Sequence, residues 1–405
     1  MKRIAPTLFL WLLACALPLA ADEAPPRPLQ VFLLAGQSNM EGQAVADLSG
    51  PNYNEGRGTL LALLNDPAKA PLIRHLRTAD GRWTVRDDVW CRYRLERGVL
   101  LFGPLTVGFS VYGGPHHFGP ELQFGQVLGD YCENPVLLIK TAWGGKSLYR
   151  DFRPPSAGGE TGPYYKKMIA EVREALANLK TEIPSSGGRY ELAGFVWYHG
   201  WNDGVDPQNA IPEYEQNLVH LINDVRREFA VPQLPVVIGE LTGPWVQAPE
   251  EWERLRKAQA AAAARPEFAG RVRFVPTRDF VRRPADSPNP THGHHEFGNA
   301  ETYFLVGNAL GQAMVQLLAA RPEVAQPPAS PPRAAPPSPA PPPAAPPTNK
   351  IQSDSPPPPS AQPTARVPRP LEGWTIRVDQ RLLEDEPELH ELLTRIWRSS
   401  DAPPQ

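Results

Sequence analysis

The chain has 405 residues, a formal net charge of -3 and three cysteines. Its length allows two or three average domains, and it lacks the run of basic residues that a phosphate backbone requires, so nucleic acid is not an expected partner.

In chain order, residues 1–21 read as an export leader, in which Lys2 and Arg3 precede an apolar stretch over 4–13 that is too short to span a bilayer. Cleavage near Ala20 or Ala21 sends a chain without a transmembrane span to the periplasm, the cell envelope or the exterior. An alternative reading takes Leu12-Leu13-Ala14-Cys15 as a lipoprotein box that leaves Cys15 lipid-anchored. An oxidising compartment permits Cys91 and Cys132 to pair, and they read equally as small buried apolar side chains.

From residue 31 onward, short apolar runs alternate with helical patterns, which predicts a parallel sheet covered on both faces. Strands are expected at 31–35, 136–141, 192–198, 235–241 and 271–276, and helices at 119–131, 164–179, 211–229, 249–264 and 299–318. The first strand runs into Gly36-Gln37-Ser38-Asn39-Met40, so Ser38 stands on the turn at a strand's carboxyl end, where open α/β sheets bind their ligands. The segment 45–118 fits the alternation poorly, and its aromatics, Trp83, Trp90, Tyr93, Phe102, Phe109 and Tyr112, read either as sugar-stacking surface or as a satellite core.

Three later segments carry groups that acyl transfer needs. Trp143-Gly144-Gly145 follows the second strand and offers backbone N–H groups; Gly200-Trp201-Asn202-Asp203 follows the third and offers a side-chain amide; Thr291 to Asn299 holds His292, His294 and His295 as candidate bases. His116 and His117 could join that cluster as metal ligands, but no acidic ligand has recognisable spacing and no Cys-x-x-Cys is present, so neither metal nor other cofactor is expected.

Serine, glycine, asparagine and histidine in this order resemble the SGNH hydrolase superfamily, in its sialate O-acetylesterase-like branch, which also holds acetylxylan esterases. The resemblance covers about residues 29–320 and implies a three-layer αβα, flavodoxin-like fold with a central parallel sheet. It implies Ser38 as nucleophile, Gly144 or Gly145 and Asn202 as oxyanion donors, and His295 as base, placed shortly before the final helix. The family aspartate three residues before the histidine is here His292, which leaves Asp286, Asp279, Glu296, a backbone carbonyl or a bare dyad to orient the imidazole; Asp286 is the first choice. Gln37, Trp143, His199 and Trp201 are expected to contact substrate, Trp197 to join the cleft wall, and Asp203 to fix its loop.

Residues 322–370 turn abruptly to proline, alanine and serine, a composition that cannot bury apolar area and reads as a disordered linker. A short segment, 371–405, follows, strand-like at 374–378 and helix-like at 389–397. The expected function is a secreted serine esterase that removes acetyl groups from a carbohydrate. The alternative is a catalytically weakened carbohydrate-binding protein on the same fold.

Overall fold

The computed structural model describes residues 27–243 and 250–320, together with the backbone of two short strands, Arg366–Leu371 and Trp374–Asp379. The expected leader with Cys15, most of the proline-rich stretch and the helix expected at 389–397 lie outside the described residues. Residues 366–370, expected to belong to the disordered linker, instead form a strand paired antiparallel with Trp374–Asp379. Pro368 and Pro370 are two apart and share one side of that strand, so neither needs to supply a ladder N–H.

The main sheet contains β1 (Leu29–Gly36), β2 (Arg86–Arg94), β3 (Leu100–Leu105), β4 (Val136–Ala142), β5 (Tyr190–Tyr198), β6 (Val236–Gly239) and β7 (Val272–Val275). Its order is β3-β2-β4-β1-β5-β6-β7, with every pairing parallel except that of the edge strand β3 with β2. On one side of β1 the chain places β2 and β3 first and then β4 between them and β1; from β5 it builds outward on the other side. The strand order therefore reverses at β1, and a crevice opens beyond its carboxyl end.

Side chains of β1 alternate between two cores, as a period of two demands. Phe32 and Leu34 join the cluster built with α2 (Glu121–Tyr131) and α7 (Ala300–Ala319). Val31, Leu33 and Ala35 join the cluster built with α3 (Pro163–Glu182), α5 (Ala210–Glu228) and α6 (Glu250–Ala263). Two further short helices, α1 (Ser38–Glu41) and α4 (Trp201–Gly204), are single turns at the carboxyl ends of β1 and β5. The result is the expected three-layer αβα arrangement. All five expected strands and all five expected helices are present, and β2 and β3 are additions within 45–118 that the helix-strand alternation does not announce.

β4 carries an unusual residue for a strand buried on both faces. The ammonium of Lys140 is fully enclosed and donates to the Glu121 carboxylate at 2.7 Å, to Phe109 O at 2.7 Å and to Glu41 O at 2.8 Å. Three donors meet three acceptors, which is the condition under which a buried charge is tolerated. One side chain thereby ties the end of α1, the loop before α2 and the first turn of α2 to the middle of the sheet. Lys140→Ala strands a buried carboxylate and two carbonyls, and urea denaturation should show a loss of about 3–5 kcal/mol. The double variant Lys140→Met with Glu121→Leu should recover only part of this loss, because the two carbonyls stay unpaired.

Candidate active site

Sheet register brings the motif loops together. Gly36 lies opposite Ala142 of β4 on one side and Tyr198 of β5 on the other, so the chain leaves all three strands at one level. Gln37-Ser38 then stands between Trp143-Gly144 and His199-Gly200. The approach is close enough that a Cβ at Gly36 would lie 2.1 Å from Tyr198 O, which only glycine avoids. Ser38 opens α1 and is half-buried, between neighbours that are buried.

Gln37 sets the orientation of Asn202. Its Oε1 accepts the Gly200 N–H at 3.0 Å, and because a backbone N–H can only donate, the amide is fixed with Nε2 turned the other way. That Nε2 donates to Asn202 Oδ1 at 3.1 Å. The Asn202 NH2 group is thus directed away from Gln37, and it has no hydrogen-bond partner among the described residues. The backbone N–H groups of Ser38 and Gly145 are likewise unpartnered among the described residues. Three free donors therefore belong to the three loops that meet beside Ser38.

Gly144 stands against the Ser38 turn. A Cβ at this position would come 3.6 Å from Ser38 Cβ and 2.9 Å from Glu41 Oε2. The Glu41 carboxylate faces the Gly144 N–H and accepts from Tyr93 OH at 2.8 Å; its pKa is raised because burial outweighs these bonds and the nearby Lys140. On the other side of the turn, Gln43 donates to Ser38 O at 3.3 Å and accepts from the hydroxyl of exposed Tyr112 at 2.7 Å. Sequence reasoning missed Glu41, Gln43 and Tyr93; the one local signal was an acid three residues after the serine.

Asp203 does fix its loop. Its two oxygens accept the N–H groups of Leu148 and Tyr149, each at 2.9 Å, and so tie α4 to the chain that follows Gly144-Gly145. Complete burial nevertheless pushes its pKa up to about 7. His199 beside it is pushed down to about 3 by burial and spends Nε2 on Lys146 O at 2.8 Å.

The histidine loop docks on the Ser38 turn through Asn39. Asn39 Nδ2 donates to His294 O at 3.3 Å and to Glu296 Oε1 at 3.1 Å, while Tyr303 OH of α7 donates to Asn39 Oδ1 at 2.7 Å and lies 3.2 Å from His295 O. Glu296 also accepts from Thr242 Oγ1, and burial raises its pKa to about 7. Glu296 and Phe297 adopt positive φ of 51° and 57°, the tight local path by which the loop turns Glu296 inward. His295 is half-buried, its ring 4.1 Å from that of His294 centroid to centroid, and burial with the two neighbouring histidines lowers its pKa to about 3. Among the described residues the Ser38 hydroxyl makes no hydrogen bond to an imidazole, and no carboxylate bonds the His295 ring.

The family model for carbohydrate esterases of the sialic acid-specific acetylesterase type matches residues 28–305. The chain belongs to this family. The esterase is 25% identical over 216 residues to a probable carbohydrate esterase of Arabidopsis thaliana, a match covering 53% of this chain and 70% of that protein. Among solved structures it resembles an Arabidopsis thaliana protein (16% identity, TM-score 0.46, 71% of this chain and 98% of that one). It also resembles a carbohydrate acetylesterase from Xanthomonas citri (15% identity, TM-score 0.43, 72% of this chain and 57% of that one). The family's members are carboxylic ester hydrolases, and so is this protein.

Several expected site residues take other places in the esterase. Trp143, Trp197 and His199 are buried in the core on the α3-α5 side, Trp143 with Nε1 donating to Arg94 O at 3.2 Å, and so cannot line a cleft. Gln37 is also buried and acts on Asn202 rather than on a ligand. Trp201 is half-buried, its ring 5.0 Å from that of Trp252 and 5.9 Å from that of His294. Asp286 pairs with Arg283 at 2.7 Å on an exposed turn, and the structure does not bring its carboxylate to the imidazole; Asp279 is exposed as well. His292 gives its carbonyl to the N–H groups of His295 and Phe297, while its Nδ1 lies 3.2 Å from Thr291 Oγ1. His116 pairs with Asp47 and His117 stacks under Tyr112 at 4.2 Å, and no group of three or more metal-ligating side chains exists among the described residues. Cys91 and Cys132 are both free thiols. The aromatics of 45–118 divide: Trp90 stacks on Phe102 and Tyr93 is buried, while Tyr112 stays exposed.

Asp203 has a consequence for pH. Its folded pKa is raised, so the folded state keeps a proton that the unfolded chain releases near 4, and this stabilisation is lost as pH rises through about 7. Chemical denaturation should show wild type losing stability relative to Asp203→Asn between about pH 4 and 7, with a constant difference above.

Proposed function

We propose that the protein is an exported carbohydrate O-acetylesterase that works through an acyl-enzyme on Ser38. The observation that carries this reading is a set of three unpartnered donors on the loops that follow β1, β4 and β5, the N–H of Ser38, the N–H of Gly145 and the Asn202 amide turned away from Gln37. Of the two glycines, Gly145 is the better donor, because the Gly144 N–H faces Glu41. In the proposed reaction His295 takes the Ser38 proton, the alkoxide attacks the acetyl carbonyl, and the three donors bind the oxyanion as it forms. The protonated imidazole then passes its proton to the departing sugar oxygen. Water activated by His295 hydrolyses the acetyl-serine, and acetate leaves.

A base with no carboxylate partner stays neutral over a wide range of pH, and apo hydrogen bonds between nucleophile and base commonly tighten only when substrate excludes water. The leader and its Lys2-Arg3 start support export. The alternative of a carbohydrate-binding protein without turnover draws support from the absence of a carboxylate on His295. It leaves unexplained why Gln37 spends a buried amide on turning Asn202 outward.

Hydrolysis of 4-nitrophenyl acetate tests the reading. Ser38→Ala and His295→Ala should abolish turnover, and Asn202→Ala should lower kcat by roughly two to three orders of magnitude with little change in KM; full activity in Ser38→Ala would end it. The pH profile offers a second test. His295 is competent only when neutral and its pKa is lowered to about 3, so kcat/KM should hold its plateau well below pH 6.5, where an ordinary histidine would already be protonated.

A further inference from the structure

Beside Asn202 the surface sinks into an open hollow of about 160 Å3 between the chain at 147–151 and the start of α5. Asn202 lines the hollow and also stands among the donors proposed for the oxyanion, and is the residue that the two have in common. The other walls are polar. Tyr149 is half-buried, with the Arg150 and Arg153 guanidiniums 5.6 Å and 5.5 Å from its ring centroid. Arg153 is committed to Glu213 at 2.8 Å and to Tyr149 O at 3.2 Å, whereas Arg150 is exposed.

The carboxylates are used unequally. Asp151 Oδ2 is taken by the Ser147 N–H at 2.7 Å and hydroxyl at 2.9 Å. Asp206 Oδ1 accepts from Asn209 at 2.8 Å, but its Oδ2 lies 3.9 Å from Arg150 Nη2, an ion pair too long for a hydrogen bond. A carboxylate and a guanidinium at that spacing match two neighbouring hydroxyls of a sugar, one donating to Asp206 and the other accepting from Arg150. The charge of the walls decides between sugars. Arg153 is cancelled by its partner Glu213, and Asp151 and Asp206 set against Arg150 leave one net negative charge (two minus one), which repels a ligand carrying its own carboxylate.

We propose that this hollow, between Tyr149, Arg150 and Asp206, is the subsite for the ring that bears the acetyl ester, and that it takes a neutral sugar in preference to a carboxylate-bearing one. The proposal rests on ester cleavage at Ser38 and adds a substrate class to it. Single hydroxyl bonds to charged groups determine ring affinity here, while the oxyanion donors act on the acetyl carbonyl whatever the alcohol.

The experiment compares kcat/KM for 4-nitrophenyl acetate, an acetylated methyl xyloside and an O-acetylated sialic acid in wild type, Asp206→Ala and Arg150→Ala. Wild type should favour the xyloside over the sialic acid by at least about tenfold. Each variant should lower the xyloside-to-aryl-acetate ratio by about tenfold, through KM, in line with loss of one charge-assisted hydrogen bond. Asp206→Ala should also narrow the preference for the neutral sugar. A wild-type preference for the sialic acid, or ratios that do not move in either variant, would overturn the subsite while leaving the serine mechanism intact. A wild type inert on the aryl acetate would instead remove the esterase mechanism, and the subsite with it.

Discussion

The enclosed ammonium of Lys140 is the interaction on which the site's geometry rests. A parallel strand buried on both faces ordinarily carries apolar residues alone, yet β4 places this charge within hydrogen-bond reach of Glu41 O, Phe109 O and the Glu121 carboxylate. Each acceptor belongs to a different segment, and none has water to fall back on, so the ammonium holds all three at fixed separation. Glu41 transmits that constraint to the reactive end. It closes α1 four residues after Gln37 and packs its carboxylate between Tyr93 and Gly144. The distance between the Ser38 turn and the glycine loop is thus fixed by a buried polar chain rather than by apolar packing.

Different means hold the two remaining loops. The Asn202 loop is held by amides and a carboxylate: Gln37 on one side, Asp203 on the Leu148 and Tyr149 N–H groups on the other. The histidine loop is held from beneath by Asn39, Tyr303 and Thr242, all of which act on its backbone or on Glu296. Among the described residues no carboxylate pins the imidazole itself. The loop's position is secured by its backbone, and the ring keeps a low proton affinity, a different balance from a triad in which an acid fixes ring and tautomer together.

Much of this architecture was legible in the chain. Unbroken apolar runs of strand length, separated by amphipathic stretches of helix length, predicted five strands and five helices, because burial on two faces permits no other pattern. Glycines at strand ends predicted close backbone approach, and Gly36 against Tyr198 O is such a case. The strands β2 and β3 were not legible. β2 is bounded by arginines and mixes Asp87 and Asp88 with Val89, Trp90 and Cys91, since its arginines pair with carboxylates of α2 and α3. Aromatic residues next to motifs misled for a related reason. Trp143 and His199 follow strand ends, where a side chain can point into the core or into the crevice, and local sequence does not say which.

The sequence by itself determined the family, the αβα layering and the residues Ser38, Asn202 and His295 as the chemical candidates, because reactive groups at the carboxyl ends of buried strands must share one edge of the sheet. Only the tertiary structure decided how those groups are aimed. The outward turn of the Asn202 amide depends on Gln37, 165 positions away in the chain; the placement of the histidine loop depends on Asn39 and Tyr303; and Asp286 is left on an exposed turn with Arg283. Orientation of a polar side chain is set by which donor or acceptor happens to face it. That is a property of contacts between distant segments, and no local pattern of residue types encodes it.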